Sequence, residues 1–343
     1  MIGLLYPLSR SLLFRLDAEA AHHLSLATIA RVGRVPGLRS AVAAMFTAPD
    51  ADPVDVFGLR FPNRVGLAAG YDKDGDGWRG LECLGFGHIE VGTVTPEPQS
   101  GNPKPRVFRL VDERSVINRM GFPGRGADYV AERLRRRRPG GAIIGANIGK
   151  QKSTPLEDAA GDYEKLVDVF APLADYLAVN ISSPNTPGLR RLQERGFLAA
   201  LLGRVAARRD GAADQLERRV PVLVKLAPDL TDEQLVTAVD VIVESGLDGI
   251  IATNTTIGRD GVDHPLAAEE GGLSGEALTG LSTRVIARIA EHTGGEIPIV
   301  GVGGIMGPDD ARAKIDAGAT LVQVYTGLIF EGPGLIKRIL KGL

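Results

Sequence analysis

One nine-residue run, Asn180-Ile181-Ser182-Ser183-Pro184-Asn185-Thr186-Pro187-Gly188, crowds amides and hydroxyls behind a short apolar segment. Other apolar segments close in the same way. Gly70-Tyr71-Asp72-Lys73, Gly92-Thr93, Asn147-Ile148-Gly149-Lys150 and Lys225 end four of them. Thr253-Asn254-Thr255-Thr256, Gly301-Val302-Gly303-Gly304-Ile305 and Tyr325-Thr326-Gly327 end three more. Any one of these reads as a turn or a cap. Eight polar endings together point to one chemically active face. Lysines and amides held out of water suit an anionic, hydrogen-bond-rich substrate and the tuning of a cofactor's electronics. The glycine-rich turn at 301–305, paired with the turn at 325–327, fits a phosphate held by backbone N–H groups. No carboxylate pair is placed for glycoside hydrolysis, and no histidine ends a segment for triad chemistry. The five histidines lack ligand spacing and Cys83 stands alone, so no metal is expected.

Such a face needs a scaffold that brings eight chain segments to one end. Short apolar runs recur at 65–69, 88–92, 142–148, 176–181, 221–226, 249–253, 297–302 and 321–325. Helix-like stretches separate most of them, among them 158–173, 232–245, 282–292 and 309–317. Near-continuous apolar strands alternating with helices imply a parallel sheet covered on both faces. Eight units predict an α/β fold closed as a (β/α)8 TIM barrel, whose sites lie at the carboxyl ends of the strands. An open doubly wound sheet is the alternative, but its dinucleotide fingerprint is not convincing here. Two longer connections interrupt the rhythm. Segments 107–111 and 115–117 read as a hairpin. Residues 254–275, rich in glycine and charge, read as a mobile loop.

Residues 1–46 differ from the rest. Leu8, Leu12, Leu13 and Leu16 make one helical stripe, Asp17 can cap a second helix, and Leu38, Val42, Met45 and Phe46 give a further face. Arginines 10, 15, 31, 34 and 39 sit among them. This segment is either a cap packed on the barrel or a hairpin dipping one face into a membrane surface. No apolar run reaches the ~20 residues of a membrane span, and Arg10, Arg15 and Asp17 break any signal-peptide core. Lys+Arg of 40 against Asp+Glu of 42, with 5% aromatics, argues against a nucleic-acid partner. The run Arg135–Arg138 reads as a solvated helix end.

Six motifs, in order, resemble the dihydroorotate dehydrogenase family. They are Ala68-Ala69-Gly70-Tyr71-Asp72-Lys73-Asp74-Gly75, Glu90-Val91-Gly92-Thr93-Val94-Thr95, Asn118-Arg119-Met120-Gly121-Phe122, the 180–188 run, Val224-Lys225-Leu226-Ala227-Pro228-Asp229, and Ala252-Thr253-Asn254-Thr255-Thr256. The resemblance implies an FMN enzyme of de novo pyrimidine synthesis that converts dihydroorotate to orotate. Ser183 stands where cytosolic members place a cysteine base, and the N-terminal appendage is similar to that of the quinone-reducing, membrane-associated class. It thus implies a monomer attached peripherally to the cytoplasmic side of the cell membrane, with residues 1–46 as quinone entrance and 47–343 as the catalytic barrel. It also assigns Ala69, Gly70, Lys73, Thr93, Asn147, Asn180, Lys225, Thr253 and Gly275 to the flavin, with Gly304, Tyr325 and Thr326 on its phosphate. Lys73, Asn118, Arg119, Met120, Gly121, Phe122, Asn180, Asn185, Asn254 and Thr255 would hold the substrate. Ser183 would take the C5 proton on the face opposite the flavin, which receives the C6 hydride. The family usually has asparagine after Phe122, where this chain has Pro123-Gly124, so the local loop shape is open. Another flavin barrel oxidoreductase, or a barrel that only binds a phosphate ligand, would share the strand-end chemistry but not these motifs in order.

Overall fold

The computed structural model describes residues 2–48, 51–136 and 141–343. Eight parallel strands close a barrel: β1 (Val65–Leu67), β2 (His88–Val94), β3 (Ile143–Ile148), β4 (Tyr176–Asn180), β5 (Val222–Leu226), β6 (Gly249–Ala252), β7 (Ile299–Val302) and β8 (Leu321–Val324). Neighbours in space are neighbours in sequence, and β8 pairs with β1 to close the ring. The strands are buried on both faces, which is why they read as near-continuous apolar runs. Helices follow where expected, at Ala159–Phe170, Asp232–Glu244, Thr279–Thr293 and Pro308–Asp316. Thr231 caps the second of these reciprocally with Gln234. Cys83 is buried beside the first helix after β1, as a core residue.

A three-stranded antiparallel sheet lies outside the barrel. Val107–Leu110 and Ser115–Asn118 form the expected hairpin. The third strand, Gly272–Gly275, comes from the segment read as a mobile loop. That reading is corrected, because the segment is stitched in place. The Arg259 guanidinium donates to the carbonyls of Ala267, Glu269 and Gly271, and Leu273 packs with Leu110 and Ile117. Of the arginine run, Arg135 and Arg136 pair with Glu132 at the helix end, and residues 137–140 lie outside the described residues.

Three helices precede the barrel: α1 (Ile2–Leu13), α2 (Ala18–Arg34) and α3 (Pro36–Phe46). Asp17 caps α2, accepting from the amides of Glu19 and Ala20. α2 lies backbone-to-backbone on the helix Trp78–Glu82. A Cβ on Gly80 would stand 1.9 Å from the Ile29 carbonyl oxygen, so no larger residue permits this approach. Arg10 donates to the Phe330 carbonyl and Tyr6 to that of Ile329, fastening α1 to the barrel. The central fastener is Glu19, buried and held by two hydrogen bonds from Arg106 at 2.7 and 3.1 Å. Burial raises its carboxyl, but Arg106 and Lys104 outweigh that and bring it from 4.5 to about 2. Its stabilising contribution is therefore present above the ordinary carboxylate range and is lost as pH falls through about 2. Glu19→Gln leaves the guanidinium buried without its charge partner and is expected to cost about 3 kcal/mol or more at pH 7. Unfolding curves of the two proteins should differ at pH 7 and converge in strong acid. Coincident curves at pH 7 would show that this pair fastens nothing.

Candidate active site

The carboxyl ends of the strands surround a cleft of about 990 Å³. Of the residues expected at a site, Ala69, Gly70, Lys73, Thr93, Asn118, Met120, Gly121, Phe122, Asn180, Ser183, Asn185, Lys225, Thr253, Asn254, Thr255, Gly275, Gly304, Tyr325 and Thr326 all line it. Two do not. Asn147 is fully buried one layer behind, where its Oδ1 accepts from Thr93 Oγ1 at 2.5 Å and Asn180 Nδ2 at 3.3 Å. Arg119 turns its side chain away from the cleft, onto Glu269 at 2.6 Å and over the Phe108 ring. Arg119 lies just past the Ser115–Asn118 strand, and its ion pair with Glu269 holds it outward while Asn118 lines the cleft. Gln323 and Ser274 line the cleft without having been anticipated, and Gly303 lines it as the 301–305 turn implied.

Each side chain is aimed by its local fold. The turn after β1 is shaped by the Asp72 carboxylate, which accepts from the amides of Asp76 and Gly77. It directs Lys73 to the Gly70 carbonyl, 2.5 Å away. Burial pulls the Lys73 ammonium down to about 8, with Glu19 and Asp74 acting in the opposite sense. Lys225 closes β5 and is likewise lowered by burial, with Glu90 partly offsetting that. The Glu90 carboxylate lies 4.0 Å from its Nζ. Beyond β4, Ser183 Oγ accepts from the Asn185 amide at 3.2 Å. Asn185 Nδ2 in turn donates to Asn118 Oδ1 at 3.1 Å. Thr186 Oγ1, in the same loop, is buried and has no partner among the described residues. In the loop that carries Pro123-Gly124, Gln99 donates to the carbonyls of Gly121 and Phe122 and bridges Gly124.

At the far end, Gly304 (φ +74°) lies so close to the Thr279–Thr293 helix that a Cβ would stand 2.1 Å from Thr279 Oγ1. With Gly303, Tyr325, Thr326 and Gly327 it forms a wall made largely of backbone, suited to phosphate oxygens. Lysine, paired amides and this wall make the cleft fit for a ring cofactor that carries a phosphate.

A second cavity, of about 830 Å³, runs beneath α1 and α2. Tyr6, Leu13, Phe14, Ala21 and His22 roof it, and Val107, Val116, Leu328 and Ile329 face them. Lys73, Asn118, Met120, Ser274 and Tyr325 border both cavities, so the passage under α1 and α2, which also carries Glu19 and Arg109, reaches the cleft.

A profile of the family described as dihydroorotate dehydrogenase matches residues 53–343. The chain belongs to the dihydroorotate dehydrogenase family. It is 50% identical over 335 residues to a protein of Marinomonas sp. (strain MWYL1) named dihydroorotate dehydrogenase (quinone), covering 97% of this chain and 95% of that one. A protein of the same name from Teredinibacter turnerae is also 50% identical, with 97% of each chain covered. Among solved structures, the family member from Eimeria tenella in complex with ferulenol superposes with a TM-score of 0.86 at 37% identity, covering 95% of this chain and 90% of that chain. Its ligand-free form gives 0.85 at 38%, covering 95% and 93%. The coverage includes most of the N-terminal helices, so the kinship extends beyond the barrel.

Proposed function

We propose that this chain oxidises dihydroorotate to orotate in de novo pyrimidine synthesis, with FMN as hydride acceptor and a membrane quinone as final acceptor. The observation that carries this reading is the meeting of two cavities. A polar cleft with two lysines, five asparagine or glutamine side chains and a backbone phosphate wall opens into an apolar passage under α1 and α2. FMN, when bound, supplies an acceptor for two electrons from the substrate and a donor of them to the quinone. Gly303, Gly304 and Thr326 would hold its phosphate. Lys225 and Thr93 would hold its ring, and the buried Gln323 carbonyl oxygen, without a partner among the described residues, is an acceptor left for it.

The chain's own groups then divide the remaining work. Lys73 places positive charge where an anionic substrate must sit, and Asn118, Asn185 and Asn254 orient that substrate. Lys225 offers positive charge where hydride transfer accumulates negative charge. Ser183 removes the C5 proton and passes it onward, with the orphan Thr186 hydroxyl in the same loop able to continue the relay. Purified protein should be yellow and release FMN on denaturation. Among quinone, fumarate and NAD⁺, it should reduce the quinone with dihydroorotate as donor. A colourless protein, or turnover with fumarate or NAD⁺ in place of quinone, sinks the reading.

Residues 1–46 serve in this reading as quinone entrance and as a peripheral anchor on the cytoplasmic side of the cell membrane, with the chain acting as a monomer. Among the described residues no helix is long and apolar enough to cross a membrane. Leu8 and Leu12 stand 68% and 64% exposed on α1, and Leu16, Leu24, Leu38 and Met45 are also exposed. A row of exposed leucines above an apolar passage suits a helix lying in the interface of a bilayer. Arg10 and Arg39 are engaged with the barrel, while Arg15, Arg31 and Arg34 are exposed and available to anionic headgroups. The double variant Leu8→Glu/Leu12→Glu should lower binding to anionic liposomes more than tenfold and slow turnover with a long-tailed quinone. Flavin reduction by dihydroorotate should be unchanged. Unaltered liposome binding would make α1 a cap only.

A further inference from the structure

Glu90 is a carboxylate in the middle of β2, 0% exposed, and nothing in the proposed chemistry uses it. Three donors reach it. Asn147 Nδ2 donates to Oε1 at 2.8 Å, and the Tyr176 hydroxyl and Gln323 Nε2 donate to Oε2, each at 3.0 Å. Lys225 Nζ lies 4.0 Å from Oε1. These partners come from β3, β4, β8 and β5, so the carboxylate is a hub at the floor of the cleft.

A carboxylate only accepts hydrogen bonds. The Asn147 amide must therefore turn its nitrogen to Glu90, which points Oδ1 at Thr93 and Asn180. Asn180 must then turn its nitrogen to Asn147, which leaves Oδ1 for the Ser182 amide and for Asn254 Nδ2 at 3.2 Å. Asn254 Oδ1 ends the chain by accepting from the Thr255 amide at 2.8 Å. Each amide alone could flip and still bond its neighbours, because its two ends are nearly the same shape. One acceptor-only group at the start removes that freedom from all three.

We propose that Glu90 is a positioning residue for the reaction: it sets the donor–acceptor direction of the Asn147–Asn180–Asn254 chain at the cleft and balances the Lys225 cation there. The inference rests on the flavin reading of the cleft. It differs from a purely structural role, in which Glu90 only ties strands together and its loss weakens the barrel without altering what the cleft presents.

The test uses full-length Glu90→Gln and Glu90→Asp proteins carrying their flavin. The glutamine variant keeps the shape but can donate, and it removes the negative charge beside Lys225. The two-electron reduction equilibrium of the bound flavin, read by dye equilibration without turnover, should then shift about tenfold toward the reduced form, about 30 mV upward. KM for dihydroorotate should rise about tenfold more than kcat falls, because Asn254 no longer has one imposed orientation. Glu90→Asp, which restores the acceptor-only charge, should return both values most of the way. A folded, flavin-loaded Glu90→Gln protein with parental potential and KM overturns the proposal. If that variant does not hold flavin, thermal unfolding of Lys225→Met and of Glu90→Gln/Lys225→Met decides. The double variant should melt higher than Lys225→Met, in which the buried carboxylate has lost its only nearby countercharge among the described residues; an equal or lower midpoint overturns the pairing. A parent protein that purifies without flavin overturns the underlying reading instead.

Discussion

Ser183→Ala turns over dihydroorotate about 10²–10⁴-fold more slowly than the parent while its flavin content is unchanged, the size of effect a lost acid–base group produces. The geometry explains both halves of this expectation. Ser183 is 5% exposed, and its Oγ accepts from the Asn185 amide at 3.2 Å. Its own proton has no acceptor among the described residues, so the hydroxyl is free to rotate toward a bound substrate. Removing it opens a space one atom wide and touches none of the groups that hold the phosphate. A serine hydroxyl is far less acidic than a cysteine thiol, whose ordinary pKa is ~8.5. It can act as a base only if the proton leaves at the same time. Thr186, buried with an unpaired hydroxyl, is the group in that loop suited to pass it on. Single-turnover reduction of the bound flavin by dihydroorotate isolates the step from quinone exchange. A Ser183→Ala protein that is reduced at the parental rate, under conditions where C5 deprotonation limits that rate, removes Ser183 from the mechanism.

What could be read from the chain before any coordinates follows a physical division. The eight strands were legible because each is a short, mostly apolar run between helices, the composition a doubly covered parallel strand favours. Their polar endings were legible as a site because the barrel's closure forces all carboxyl ends to one face. What stayed hidden depends on direction and layer. Arg119 sits within a polar motif, but nothing local says that it points outward to Glu269 while Asn118 points inward. Asn147, expected at the ligand, does not line the cleft but lies behind its wall, holding Thr93 and Asn180. Gln323 interrupts Leu321-Val322-Gln323-Val324, and a lone polar residue in a fully buried strand is the signal that would have marked it. Glu90 carried the same signal inside β2. Segment 254–275 reads as a loop because it is rich in glycine and charge, yet one of its charges, Arg259, is spent on the segment's own carbonyls. Long-range pairing of Gly272–Gly275 with Ser115–Asn118 then completes it, over a separation no local pattern records.

Lys73 gives the second large effect, and here pH supplies the control. The ammonium borders both cavities, and burial brings it from 10.5 to about 8. In the free enzyme it is charged below about 8 and neutral above, so kcat/KM for the anionic substrate should fall on the alkaline side of pH 8. A bound carboxylate favours the ammonium and raises that value, so the limb in kcat should lie at higher pH than the limb in kcat/KM. Lys73→Met should lower kcat/KM about 10²-fold at pH 7, the order of a lost charge-assisted hydrogen bond of ~3 kcal/mol, and should erase the alkaline limb near 8. Folding stability moves the other way. A lysine whose folded value is depressed opposes folding fully below about 8, and the opposition is relieved as pH rises from 8 toward 10.5. The methionine variant should therefore melt no lower than the parent at pH 7, and the difference should shrink in alkaline buffer. Loss of activity with an equal or higher melting point can come only from the missing charge. An alkaline limb that survives in Lys73→Met would assign that titration to another group and leave Lys73 outside substrate binding.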